Sequence, residues 1–225
     1  MASVKTRAYG QYCGFARALE VLGERWALLI VRDLLVGPKR FTDLLHGLPG
    51  IPSNILTARL KELENAGVAR RRVLPRPARA VVYELTEYGL ELEKVVIELG
   101  RWGAKNLGDP RPDETITLDS LITALRTTFH ADAARGLRAG YELRVGEIVL
   151  HARIDDGHVD VGAGSLPGAD LLIEAGPGIR ALMAGELSPA AAIETGTVRV
   201  IGNQKLLTRF AEIFHIEPMP AVRSI

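Results

Sequence analysis

A single cysteine, Cys13, stands in 225 residues, which leaves no pair for an internal disulfide and fits a reducing compartment. No stretch approaches the roughly 18 consecutive apolar residues of a membrane-spanning helix. The opening run Met1-Ala-Ser-Val-Lys-Thr-Arg-Ala-Tyr lacks the apolar centre of a secretory leader. A cytoplasmic chain without membrane insertion is expected. Enzymatic signatures are also missing. The glycine-rich run 162–168 has neither the Lys-Ser/Thr pair of a P-loop nor G-x-G-x-x-G spacing. His46, His130, His151, His158 and His215 show no metal-ligand spacing, and Ser165 is not in a nucleophile elbow. Asp155 and Asp156 are accounted for by a hairpin turn. No catalytic residue, metal or cofactor is expected.

Net charge is nearly absent as well, at +1, but that balance conceals a division. Residues 1–112 carry a net +6 and residues 113–225 a net −5. A basic half followed by an acidic half is expected where only the first half meets nucleic acid. With 47% hydrophobic residues the chain can bury a core in each half. The expected organisation is a first domain over 1–105, a Pro/Gly-containing linker over 106–117, a second domain over 118–216 and a tail over 217–225.

Residues 41–79 hold the richest local signal. Phe41-Thr-Asp-Leu-Leu-His-Gly-Leu reads as a short amphipathic helix, and Pro49-Gly50-Ile51-Pro52 forces a turn. Ser53 is expected to cap a second helix, with Leu56, Leu60 and Leu63 on one face. Asn54, Thr57, Ala58 and Lys61 then fall on the opposite side, with Ser53 at its edge, forming a small polar face that fits a DNA groove. After Gly67 the period becomes two through Val68, Arg70, Arg72 and Leu74, and Val81 to Leu85 return as a second strand. Arg76 and Arg79, set between prolines and alanines, make a stiff cationic tip suited to a phosphate backbone or a minor groove. Arg40 and Thr42 sit at the start of the first short helix, where cations and hydroxyls clamp phosphates. Arg59 is a further candidate phosphate contact. Helix, turn, helix and basic hairpin together spell a winged helix-turn-helix that takes double-stranded DNA as partner.

Several motifs in register extend this reading: Cys13 before the first helix, Leu22-Gly23-Glu24-Arg25-Trp26-Ala27-Leu28-Leu29-Ile30, Gly37-Pro38-Lys39-Arg40-Phe41, Leu63-Glu64-Asn65-Ala66-Gly67-Val68, and Tyr83-Glu84-Leu85-Thr86-Glu87-Tyr88-Gly89. The stretch from about Tyr12 to Lys105 resembles the HxlR family of winged-helix transcriptional regulators. The resemblance implies a cytoplasmic prokaryotic homodimer that binds an operator and answers to a small molecule or to oxidation. Some family members sense oxidants at a cysteine placed like Cys13. Here Gly14 follows it where the family commonly has proline, and a small structural thiol remains the alternative to a redox role.

Residues 1–12 read as an arm that can reach a partner subunit. Phe15, Ala18, Leu19 and Leu22 share one helical face, and Trp26 is expected in the core. Residues 86–105 read as one long helix whose apolar residues, from Leu90 to Trp102, cover more than one side. One side can meet the winged-helix core and the other a second copy, so the operator should be an imperfect palindrome with half-sites roughly 34 Å apart.

The second half alternates like an α+β domain. A helix over 118–129 is followed by strands at 141–145, 147–154, 158–162 and 170–174, helices at 177–184 and 189–194, a strand at 197–201 and a closing helix at 203–214. Gly185-Glu186-Leu187-Ser188-Pro189 and Gly196-Thr197-Val198-Arg199-Val200-Ile201-Gly202-Asn203 resemble the C-terminal half of a sterol-carrier-protein-like domain. The resemblance implies a mainly antiparallel sheet covered by helices, with an apolar tunnel between them. Leu125, Phe129, Leu182, Met183, Phe210 and Phe214 are the candidate ligand-binding residues for a hydrophobic small-molecule effector. The same side chains packed solid remain the alternative. So does a lipid carrier in which the winged helix serves as a dimer scaffold.

Overall fold

The leucine spacing at 56, 60 and 63 and the period-two run after Gly67 belong to different structural layers of one unit. The computed structural model describes residues 8–77 and 79–220, and it divides into Met1–Val96 and Ile97–Ile225. The first unit contains α1 (Gly14–Leu22), α2 (Ala27–Val36), α3 (Phe41–Gly47), α4 (Ser53–Asn65), β1 (Ala69–Val73), β2 (Val81–Leu85) and α5 (Glu87–Leu90), and α6 (Glu93–Ala104) begins in it and continues into the second unit after Val96. Leu56, Leu60 and Leu63 are each at most 1% exposed. They share one core with Ile30, Val31, Leu44 and Leu48, against which Trp26 packs half-buried. β1 and β2 pair antiparallel from Ala69↔Leu85 to Val73↔Val81. Lys39 and Tyr83 exchange backbone hydrogen bonds at 2.9 and 2.7 Å, which fastens the start of α3 to the hairpin. The first unit is a helix-turn-helix with a two-stranded wing.

In the second unit α7 (Leu118–Thr128) is followed by β3 (Arg138–Val145), β4 (Ile148–Asp155), β5 (His158–Ala163), β6 (Leu171–Ala175), α8 (Ile179–Met183), α9 (Pro189–Glu194), β7 (Val198–Gly202) and α10 (Lys205–Ile213). The sheet order is β5-β4-β3-β6-β7, antiparallel throughout except for the parallel β3/β6 pair. Alternation divides its faces. Tyr141, Leu143, Leu150, Ala152, Leu171 and Ile173 are buried on one face, while Glu142, Arg144, Arg153, Glu174 and Arg199 belong to the other. Glu142 is buried all the same, because the backbone N–H of Leu166 in the β5–β6 connection donates to its Oε2 at 2.9 Å. Residues 106–117, anticipated as a linker, lie inside this second unit.

Several local expectations need correction. Ser53 is not the cap of α4; Pro52 is the N-cap, with φ −68° and ψ 141°, and its carbonyl accepts the N–H of Leu56 at 2.9 Å. Proline's fixed φ already suits that entry conformation. The single helix expected over 86–105 is two helices. Thr86 caps α5 by accepting the Gly89 N–H at 3.1 Å, and the chain restarts as α6 at Glu93. Phe15 is 73% exposed, and Ala16 is the buried residue of α1. α8 has five residues and begins after Gly178 rather than at Pro177. Of the expected arm, residues 1–7 lie outside the described residues. Tyr9 donates its backbone N–H to Glu20 Oε1 at 3.1 Å.

Candidate nucleic-acid interface

A helix that buries three leucines must turn its other residues outward. On α4, Ser53, Asn54, Thr57 and Lys61 are exposed while Leu56, Leu60 and Leu63 face the core. Thr57 donates its hydroxyl to the Ser53 carbonyl at 2.8 Å, which fixes its rotamer and leaves its methyl and oxygen lone pairs on the open side. Asn54 and Lys61 carry the longer groups on this face. At the start of α3, the Arg40 N–H donates to Asp43 Oδ2 at 2.8 Å, so the first turn is closed by its own carboxylate. The Arg40 and Thr42 side chains are exposed beside it.

Arg59 is placed differently. Its Nη1 lies 2.6 Å from Glu62 Oε2 and 3.7 Å from Glu24 Oε2, and its side chain is 15% exposed. Its guanidinium therefore joins α4 to the turn between α1 and α2, apart from the open polar face. Arg76 and Arg79 are exposed at the wing tip on either side of Pro77 and Ala78, the latter outside the described residues; Arg79 takes a φ of +35°.

Sequence reasoning passed over three arginines. Arg70, Arg71 and Arg72 are all exposed on β1. Arg71 lies over the Tyr83 ring at 5.9 Å from its centroid. Arg70 and Arg72 lie on the other face of the hairpin, and each donates Nε–H to a different oxygen of Glu84, at 2.9 and 2.7 Å. Arg72, and then Arg70, hold the Glu84 carboxyl below the ordinary carboxylate range against the opposing effect of burial. The signal was present as Arg70 and Arg72 at period two, paired across the hairpin with an acid, but register decides which acid. With Arg76 and Arg79 the wing presents five arginines.

Cys13 is exposed just before α1, and the backbone N–H groups of Ala16, then Phe15, pull its thiol below the ordinary thiol range. In the second unit three of the six effector candidates form an aromatic cluster. Phe210 and Phe214 have ring centroids 4.8 Å apart, Phe129 and Phe214 5.8 Å, and Leu125, Leu182, Met183, Phe210 and Phe214 are buried. Phe129 is half-buried and borders a cavity of about 500 Å³ lined also by Arg101, Trp102, Lys105, His130 and Glu217. Among the described residues no group of three or more His, Cys, Asp or Glu could hold a metal ion. No helix among them is long and apolar enough to cross a membrane.

Comparison with known proteins centres on the winged unit. A family described as HxlR-like helix-turn-helix matches residues 21–110. The HTH-type transcriptional regulator YvaP of Bacillus subtilis (strain 168) is 37% identical over 91 residues, which span 40% of this chain and 84% of YvaP. The HTH-type transcriptional regulator YodB of the same organism is 42% identical over 85 residues, spanning 38% of this chain and 76% of YodB. The solved reduced form of YodB has 38% identity, with 42% of this chain and 94% of that chain covered and a TM-score of 0.38.

Proposed function

The chain belongs to the HxlR-like helix-turn-helix regulators, and from that premise we propose that it is a regulator that reads a pseudo-palindromic operator as a homodimer. DNA binding itself follows from the family; the assignment of residues is ours. The observation that carries it is the exposed polar face of α4 and the exposed arginines of the wing, set on a core that buries Leu56, Leu60 and Leu63. In this reading Ser53, Asn54, Thr57 and Lys61 meet base edges in the major groove, and Arg40, Thr42, Arg76 and Arg79 hold phosphates. Arg59 keeps a bracing role through Glu62 and Glu24.

A second copy has a surface to occupy. Val95, Leu99 and Trp102 are 54%, 47% and 74% exposed along one side of α6, and Tyr12 and Phe15 are exposed before and within α1. Apolar side chains at that spacing form a seam that favours self-association. For the second unit, the strand order β5-β4-β3-β6-β7 with one parallel pair supports the sterol-carrier-like reading, and the aromatic cluster around Phe214 supports an apolar effector. Such a ligand would enter past Phe129, the half-buried member bordering the cavity. Thermal melting with a panel of apolar ligands should raise the second unit's transition. A panel that leaves it unmoved would count against sensing.

Selection of duplexes from a random library at near-physiological salt should return a palindromic motif bound by two chains and at least about a thousandfold tighter than scrambled DNA. On that motif, Arg76→Ala should weaken binding to every sequence alike and reduce the salt slope by roughly 0.9, the contribution of one phosphate. Asn54→Ala should instead cost about 1–3 kcal/mol at one base position of each half-site. Uniform losses from both variants would remove the assignment of roles. For Cys13 the expected result is that peroxide weakens operator binding by the wild type and leaves Cys13→Ser unaffected; equal responses would make the thiol structural.

A further inference from the structure

A strand that is to meet a polyanion gains nothing from an acid on the same face, yet β2 carries Glu84 directly opposite Arg70. The geometry resolves this. Glu84's side chain is 12% exposed, whereas those of Arg70 and Arg72 are 64% and 42% exposed. The carboxylate therefore lies under the two guanidinium groups, and they stand between it and solvent. It accepts one Nε–H from each, Arg70 on Oε1 and Arg72 on Oε2. A guanidinium that spends its Nε–H keeps four N–H groups on its two η nitrogens. Two like charges at alternate strand positions, about 7 Å apart along the chain, repel one another and scatter over many rotamers unless something between them draws them in. One bridging carboxylate does both tasks and leaves the trio with a single positive charge, which a single phosphodiester neutralises.

We propose that Arg70 and Arg72 form a phosphate clamp at the base of the wing, separate from the tip arginines, and that Glu84 is the positioning residue that aims it. The clamp rests on the reading of this unit as a DNA-binding one. It adds to that reading two contacts that fix the wing at its root, where the strands are paired, in addition to the tip around Pro77. An ordinary surface ion pair would leave its acid exposed beside its base and contribute little. Here the acid is covered, and each of its oxygens serves a different arginine.

The sign of one substitution separates positioning from bulk charge. Glu84→Gln keeps the side chain's shape and adds a unit of positive charge to the wing. Bulk electrostatics predicts tighter DNA binding for E84Q, and loss of aim predicts weaker binding. Affinities of the full chain for its selected duplex and for an unrelated duplex of equal length, titrated over salt, should fall about tenfold in E84Q, the scale of losing charge-assisted hydrogen bonds. The R70A/R72A variant should lose up to roughly two phosphate contacts' worth of salt slope, about 0.9 each. In that background E84Q should have no further effect. Binding by E84Q equal to or tighter than wild type overturns the clamp, as does an undiminished E84Q loss when both arginines are already absent. Absence of wild-type binding to either duplex removes the DNA-binding reading itself, and the clamp with it.

Discussion

Replacing Gly89 with alanine should destabilise the N-terminal unit by about 3 kcal/mol or more, although alanine is the better helix former by about 1 kcal/mol. A Cβ built at Gly89 lies 2.0 Å from the carbonyl oxygen of Val68 and 3.0 Å from its carbonyl carbon. That neighbour is backbone at the root of β1, so no rotamer change relieves the overlap. The same carbonyl accepts the Thr86 N–H at 3.0 Å, and Thr86 Oγ1 donates to the adjacent Gly67 carbonyl at 2.5 Å. Thr86 Oγ1 in turn accepts from Gly89 N–H. Cap, turn and strand root are one hydrogen-bonded knot, and Gly89 is where α5 touches it. Gly89→Ala must either lift α5 or pull the wing from the core. The melting transition of this unit should fall by roughly 12 °C or more, and operator affinity should fall with it. Gly103→Ala on α6, where an added Cβ meets nothing within 4 Å, should be neutral or stabilising by up to about 1 kcal/mol. If both variants melt alike, the close approach at Val68 is not what holds the wing.

That knot also explains where the sequence misleads. Leu90, Leu92, Val95, Val96, Leu99 and Trp102 keep helical spacing across 90–102, so periodicity alone reads one helix. The break after Leu90 coincides with the tertiary approach of Gly89 to Val68, which no local window contains. The helix α4 was legible because its leucines and polar residues alternate in the helical period, the first buried and the second exposed. The wing was legible from its change to period two. The ion pairs of Arg59 were hidden for the opposite reason: helical position places it near the polar face, but its partners are Glu62 and Glu24, and Glu24 is 35 positions away in sequence. Glu84 was passed over because hairpin register, set by Ala69↔Leu85, decides that it lies under Arg70 and Arg72. In the second unit the strands follow from alternation and the turns at Gly146 and Asp156-Gly157. The parallel β3/β6 pairing is a long-range choice that alternation leaves open.

The same second unit supplies the other large effect. Phe210 is 0% exposed on α10, with its ring 5.5 Å from Tyr141 and 4.8 Å from Phe214 between centroids. Burial around this cluster pushes the Tyr141 hydroxyl up to about 12. Phe210→Ala removes a ring that its neighbours cannot replace by small shifts, because they are anchored on different elements, β3 for Tyr141 and the chain after α10 for Phe214. The expected cost is about 3–5 kcal/mol, and Phe210→Leu, which keeps most of the volume, should cost under about 1.5 kcal/mol. Thermal melting of the second unit should therefore drop by roughly 12–20 °C in the first variant and by a few degrees in the second. The vacated space is apolar and closed, so a small aromatic molecule should enter it and restore about 2.7 kcal/mol at a hundred times its dissociation constant. The wild type provides the comparison that bears on sensing. An effector core that opens past Phe129 should take up larger apolar molecules without any deletion, whereas a core that is only structural should gain binding solely through Phe210→Ala. Stabilisation of the variant alone would assign Phe210 and Phe214 to packing and leave the effector to a different part of the unit.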